Sequence, residues 1–249
     1  MRASRWVTAV VLGVGMLALV QAQPGGGFGF GGGGPVQLVA IKAVQEELKM
    51  TDDQIAKVME WSKEEGGKLQ AMRKEKLADL DFKSEEGRAK LLAFNAESTK
   101  TAYADLEKSG VLKPEQIKRL KQLDRQRQGV RAFADPDVVA ALKLTDDQKT
   151  KIKGITDEYT KESAAISQEY GLGFGGFKGK DKGTGKFDPA KAQEGQKKLD
   201  GLQTATVGKI VDLLTADQKV AWKDMVGDAF DTSKLRPTFG GGKGKGKGD

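Results

Sequence analysis

Cysteine and histidine are both absent from this chain of 249 residues. Their absence removes disulfides, zinc–thiolate sites, thiol nucleophiles, Ser/His/Asp and Cys/His relays, and a histidine-based pH switch. A hydroxyl or lysine nucleophile, or an all-carboxylate metal site, would need a motif of its own, and no such constellation stands in the sequence. We therefore expect a protein that is not an enzyme and uses neither cofactor nor metal. Sustained strand alternation is missing as well, so a sheet is not expected.

Glycine is the opposite case. Of 33 glycines, 21 crowd into Gly25 to Gly34, Gly171 to Gly185 and Gly240 to Gly248, which leaves the rest of the chain ordinary in glycine. The formal charge of +7 is distributed in the same uneven way. Lys234 to Asp249 carries five basic residues against one acid, the loop Gly171 to Asp188 four against two, and Arg2 and Arg5 sit at the extreme N-terminus. The intervening body is close to neutral, unlike a helical face built to hold nucleic acid.

Met1 to Ala22 reads as a secretory signal peptide. Arg2 and Arg5 precede an apolar run from Val7 to Val20, and Val20-Gln21-Ala22 is a small-residue cleavage site. A membrane anchor is the competing reading, but the run is shorter than the roughly 20 residues a spanning helix needs. With no cysteine after it, a lipoprotein anchor is excluded. The expected location is the periplasm or cell envelope. Residues 23–35 form a glycine-rich linker, expected to be flexible because glycine loses much entropy on ordering.

From Val36 to Ala134 apolar residues recur at three and four: Leu38, Ile41, Val44 and Leu48, then Ile55, Val58 and Met59, and later Ile117, Leu120 and Leu123. This is helical spacing. Four segments punctuate it: Met50-Thr-Asp-Asp-Gln54, Leu112-Lys-Pro-Glu-Gln116, Leu144-Thr-Asp-Asp-Gln148 and Leu214-Thr-Ala-Asp-Gln218. Gln54 and Gln148 stand 94 residues apart and Gln116 and Gln218 stand 102 apart, so the segments repeat in order as well as in type. The simplest account is an internal duplication, with one helical unit at 36–131 and a second at 132–231.

Each segment is a helix start. In T-x-x-Q the threonine hydroxyl accepts from the backbone of the third helical residue, and the glutamine reaches back to the threonine N–H. Thr51 with Gln54, Thr145 with Gln148, and Thr215 with Gln218 are such capping boxes; Gln116 lacks its threonine, and Pro114 takes the first helical position instead. The Asp52-Asp53 and Asp146-Asp147 doublets then fall in a first turn, where the helix dipole favours negative charge. Ser84 and Asp188-Pro189 read as two further starts. The long helices on either side of Asp81 to Ser84, and of the loop 171–188, should pair as hairpins.

An export signal followed by helices opened with L-T-x-x-Q resembles the LTxxQ-motif, Spy/CpxP-like proteins of the bacterial envelope. Leu144 to Gln148 and Leu214 to Gln218 match the motif in full; Met50 replaces leucine in the first copy, and Lys113 replaces threonine in the second. The resemblance implies an elongated, hooked, all-α bundle that holds unfolded polypeptides without ATP or quiets a stress sensor. Members of that family form cradle-shaped antiparallel homodimers, so two units in one chain imply a monomeric pseudo-dimer. The near-neutral body departs from the basic concave face of the family's chaperones, and the absence of histidine removes its zinc-binding branch.

Met59, Trp61, Met72 and Phe82, with Trp222, Met225 and Phe230 in the second unit, are the candidates for an apolar surface that takes polypeptide clients, although the same spacing suits packed core. GFGFGG at Gly27 to Gly32 and GLGFGG at Gly171 to Gly176 look like phosphate loops only superficially, since no buried strand precedes them and no GK[ST] follows. Their phenylalanines Phe28, Phe30, Phe174 and Phe177 are better read as contact points. Lys243, Lys245 and Lys247, in the tail 232–249, are candidates for weak, salt-sensitive polyanion contact, which is the alternative function.

Overall fold

A computed structural model describes residues 34–81, 84–172 and 188–235. The expected signal peptide, nearly all of the glycine linker, Phe82, most of the loop 171–188 and Lys243, Lys245 and Lys247 lie outside the described residues. Within them the chain is all-α, with no strand. The helices are α1 (Pro35–Leu38), α2 (Lys42–Glu47), α3 (Asp52–Lys76), α4 (Glu85–Ser109), α5 (Pro114–Gln128), α6 (Pro136–Leu142), α7 (Asp146–Glu169), α8 (Pro189–Asp212) and α9 (Ala216–Val226). Two 3-10 turns, Gly129–Ala134 and Thr232–Leu235, follow α5 and α9.

The helix starts follow local chemistry. Ser84 accepts from the Gly87 amide, and Asp188 accepts from Ala190 and Lys191 with Pro189 next to it, so both expected starts are capped by side-chain oxygens. The helix before each first T-x-x-Q segment ends in the same unusual way. Lys49 (φ 49°) and Lys143 (φ 50°), 94 residues apart, each occupy the left-handed region without being glycine. This reversal lets Met50 and Leu144 donate back to Gln45 and Val139, each at about one helical turn's remove, before the next helix begins.

Two hydrophobic clusters form the core. The first joins Leu38, Val39, Val44, Leu48, Val58, Leu106, Ile117, Leu120 and Leu123; the second joins Val130, Phe133, Val138, Leu142, Ile152, Ile210 and Trp222. Their membership runs across the expected borders at both ends. Val130 already belongs to the second cluster, whereas Phe230 packs against the first and Leu235 lies within it. The chain after α9 therefore returns to the first cluster, and apolar burial rather than sequence order decides where residues 230–235 belong.

The long helix pairs are packed differently. α1 touches α3, α4 and α5, and α3 and α4 themselves approach only sparsely. α7 and α8 instead run closely together, with the Gly129–Ala134 turn against both. Beyond Gln148 at the start of α7, the buried polar residues of that pair are small, namely Thr156, Ser163, Ser167 and Thr206, and the two threonines return their hydroxyls to Ile152 and Leu202 of their own helices. Gly195 sits where a Cβ would lie 2.4 Å from the Cβ of Tyr170, so α8 begins in direct contact with the end of α7. By contrast, a Cβ on Gly66 would make an ordinary 3.8 Å contact with Val36 and one on Gly67 would meet nothing; α3 runs through both glycines unbroken, with no close approach demanded there.

α5 and α9 join the clusters through polar chemistry. The last carbonyls of a helix lack intrahelical donors, and α5 supplies them for α9: Gln122 donates to the Asp224 carbonyl (2.9 Å), Arg125 to Met225 (3.3 Å) and Gln126 to Val226 (2.6 Å). Gln126 donates also to Asp228 and accepts from the Phe230 amide, while Arg119 donates to Asp228. Cationic side chains at a helix C-terminus are favoured by its dipole, an effect of about 0.3–1 kcal/mol each. Gly227 (φ +62°) completes the turn, in a space where a Cβ would strike the Gln122 side chain.

A left-handed conformation costs a non-glycine residue about 1–2 kcal/mol. Lys49→Gly and Lys143→Gly should each raise stability, by about 0.5–1 kcal/mol after glycine's larger unfolded-state entropy is set against it. Urea unfolding of the two variants measures this, and a loss of stability in either would contradict the conformational account.

Candidate functional site

The four T-x-x-Q-type segments meet in pairs. Thr51, Thr145 and Thr215 each accept from the glutamine three residues on, and Gln54, Gln148 and Gln218 each accept from the threonine amide, at 2.9–3.3 Å throughout. Gln116 accepts likewise from the Lys113 amide at 2.9 Å, although a lysine side chain has no oxygen to complete the box. These contacts use one oxygen of each glutamine and leave two N–H donors.

Those donors build a reciprocal clasp. Gln54 Nε2 donates to Gln116 Oε1 (2.9 Å), and Gln116 Nε2 donates back to Gln54 Oε1 (3.2 Å). The second N–H of each reaches across to the backbone just before the other's motif: Gln54 to the Val111 carbonyl and Gln116 to Leu48. The same set recurs between Gln148 and Gln218, at 2.7 and 3.0 Å, with Leu213 and Leu142 as the carbonyls. Each glutamine thus binds its own helix start, its partner and its partner's entry loop. A capping box alone would accept glutamate equally well. The choice of glutamine at all four positions was the sequence signal for this clasp, because only an amide has donors left to give.

The basic residues of α5 are engaged within the molecule. Lys118 pairs with Asp224 (2.8 Å), Arg119 with Glu47 (2.7 Å), Lys121 with Glu107 (2.6 Å) and Arg127 with Asp124 (2.7 Å). Buried Asp124 also accepts from the Tyr103 hydroxyl at 3.2 Å. Burial, and then the Asp124 carboxylate beside it, push the Tyr103 phenol well above its ordinary range; burial raises Tyr159 too. At the far end of α7, Tyr170 donates to Glu194 and accepts from Lys198.

The candidate client residues divide. Trp222 is buried and stacked on Phe133, ring centroids 4.2 Å apart, so it is core and not an open surface. Trp61 and Phe230 pack against the first cluster and Met225 against the second, each partly covered. Met59 is 44% exposed and Met72 half-buried, both on α3. Sequence reading missed Leu92 of α4 and Val220 of α9, both exposed, and a cavity of about 250 Å³ between α1, α3 and α4, lined by Val36, Leu69, Phe94 and Ala102 with Arg73 and Asn95. Its signal was weak, since it depends on how far apart α3 and α4 stand and not on their periodicity.

No family model, curated protein or solved structure matches this chain.

The clasp and the buried Tyr103–Asp124 pair each set an expectation. Gln116→Ala strips a partner from the Leu48 carbonyl, the Lys113 amide and Gln54, and should cost about 2–4 kcal/mol in urea unfolding, given about 1 kcal/mol per hydrogen bond and more for groups left buried and unpaired. Combining it with Gln54→Ala should cost less than the sum of the singles, by about 1 kcal/mol; strict additivity would mean the two amides do not work as a pair. The second concerns pH. Because the folded state holds the Tyr103 proton more tightly than the unfolded chain does, its contribution is complete below pH about 10 and is lost as pH rises through the raised folded value. Tyr103→Phe should flatten the alkaline fall in stability, leaving the smaller part due to Tyr159, and should remove the latest-titrating phenolate from the ultraviolet absorbance curve.

Proposed function

We propose that this protein is exported to the cell envelope and binds other polypeptides without catalysis, as a holdase-type chaperone or stress-pathway adaptor of the Spy/CpxP-like kind. The observation that carries the reading is the reciprocal clasp of the motif glutamines, Gln54 with Gln116 and Gln148 with Gln218. It gives the motif a paired structural use in each half, which is what two copies of one LTxxQ unit in a single chain would require. The elements recur at the sequence offset as well: α2 and α6 lead into the first motifs, each ending on a left-handed lysine.

The surface offered to a client is the α3–α4 side of the first half. Met59, Met72 and Leu92 leave apolar area in water on α3 and α4, between which the mainly apolar cavity lies at Leu69 and Phe94. The second half adds the exposed Val220 of α9, while Trp222 and Met225 are spent on its own core. Hydrogen bonds between α5 and α9 hold the halves in one chain and support a monomeric pseudo-dimer.

The test is aggregation of a chemically denatured client, followed by light scattering with the purified protein at near-stoichiometric ratio. Aggregation should slow; Met59→Ser with Leu92→Ser should weaken the protection several-fold, and deletion of Gly240 to Asp249 should leave it intact. Protection that vanishes with the tail would favour the alternative, a surface protein engaging polyanions through Lys243, Lys245 and Lys247. Absence of protection across several clients would remove the chaperone reading, and a stable dimer in multi-angle scattering would remove the pseudo-dimer.

A further inference from the structure

The cavity between α1, α3 and α4 begins where the described chain begins. Gly34 and Pro35 stand at its edge, Val36, Leu69, Phe94 and Ala102 supply apolar wall, and Asn95 lies among them with its Oδ1 buried and without a hydrogen-bond donor. At about 250 Å³ it exceeds the roughly 150 Å³ of an apolar cavity known to accept benzene. Its volume is therefore sufficient for a phenyl ring.

The segment entering at Gly34 brings phenyl rings. Residues 23–33 read QPGGGFGFGGG, with no charge and two aromatic residues, Phe28 and Phe30. A chain advances at most about 3.3–3.6 Å per residue, so Phe30 cannot lie more than about 14 Å from Gly34, nor Phe28 more than about 22 Å. A tether of this length holds a group near its site at an effective concentration in the mM range, which an independent ligand seldom reaches.

We propose that the Phe28-Gly29-Phe30 segment docks into this cavity of its own chain, with a phenylalanine ring against Leu69, Phe94 and Ala102. The cavity is then the seat of an internal aromatic anchor that ties the N-terminal segment to the α3–α4 face. The inference goes beyond the polypeptide-binding reading: it concerns one chain without a client, and a client that reached into the cavity would have to displace this segment.

Photocrosslinking tests it in the whole chain. Phe30 is replaced by p-benzoylphenylalanine, an aromatic residue that reacts with whatever surrounds it, and the sites are read by mass spectrometry of an equal mixture of light and heavy isotope-labelled protein. Crosslinks should fall within the same copy, in peptides carrying Leu69 to Arg73 or Phe94 to Ala102. Gly66→Leu fills the cavity from the α3 side, where a Cβ meets only Val36 at 3.8 Å, and leucine is a better helix former than glycine, so the variant should keep its fold by circular dichroism. In that background the crosslink yield at these peptides should drop by an order of magnitude. Crosslinks scattered over the surface, crosslinks between light and heavy copies, or a yield unchanged in the folded Gly66→Leu variant would each overturn the proposal.

Discussion

The amide-to-amide contact between two helix starts is the constraint on which each half of this molecule is built. Gln54 and Gln116 are 62 residues apart, Gln148 and Gln218 are 70 apart, and each pair closes a loop through two long helices. Closing so long a loop has an entropic cost that grows only slowly with its length. What a buried amide cannot tolerate is an unused donor or acceptor, and the clasp leaves none: every oxygen and both N–H groups of each glutamine are engaged. Any displacement of one helix start would strand several of these groups at once, so the starts of α3 and α5, and of α7 and α9, are held in register. Packing of Leu112, Ile117 and Leu120 in one half, and of Leu142, Leu144 and Leu214 in the other, follows from that register.

The two halves answer the same constraint with different helix spacing. In the second, small buried residues, Thr156, Ser163, Ser167 and Thr206, let α7 and α8 lie close along their length. In the first, the short turn α1 stands among α3, α4 and α5, and the two long helices remain apart around a cavity. The α7–α8 pair is thus closed along its length, whereas α3 and α4 keep a cavity between them. The proposed binding of polypeptides would draw on the more open pair.

Charge is distributed in keeping with this division. The cations of α5 are paired with Asp224, Glu47, Glu107 and Asp124, or turned to the carbonyl end of α9, so that a helix which looks strongly basic in sequence presents a joint and not an anion-binding face. The same joint brings residues 228–235 back onto the first cluster, where Leu235 is buried. Positive charge available for an external partner would then have to come mainly from other parts of the chain.

Helix starts and helical class were legible in the sequence because they depend on interactions three or four residues long. A threonine, two acids and a glutamine cap a helix wherever they occur, and proline at Pro114 or Pro189 sets a first turn by its own ring. The α5–α9 joint, the left-handed lysines and the cavity were not legible, and of the clasp only the spare amide donors were. Each depends on groups many residues apart or on a reversal enforced by packing, and periodicity cannot tell whether Trp222 stacks on Phe133 or faces water. Local hydrogen bonding, in short, is written residue by residue, whereas the partner a spare amide donor finds, and the apolar face that stays open, emerge only once distant helices have been brought together by burial.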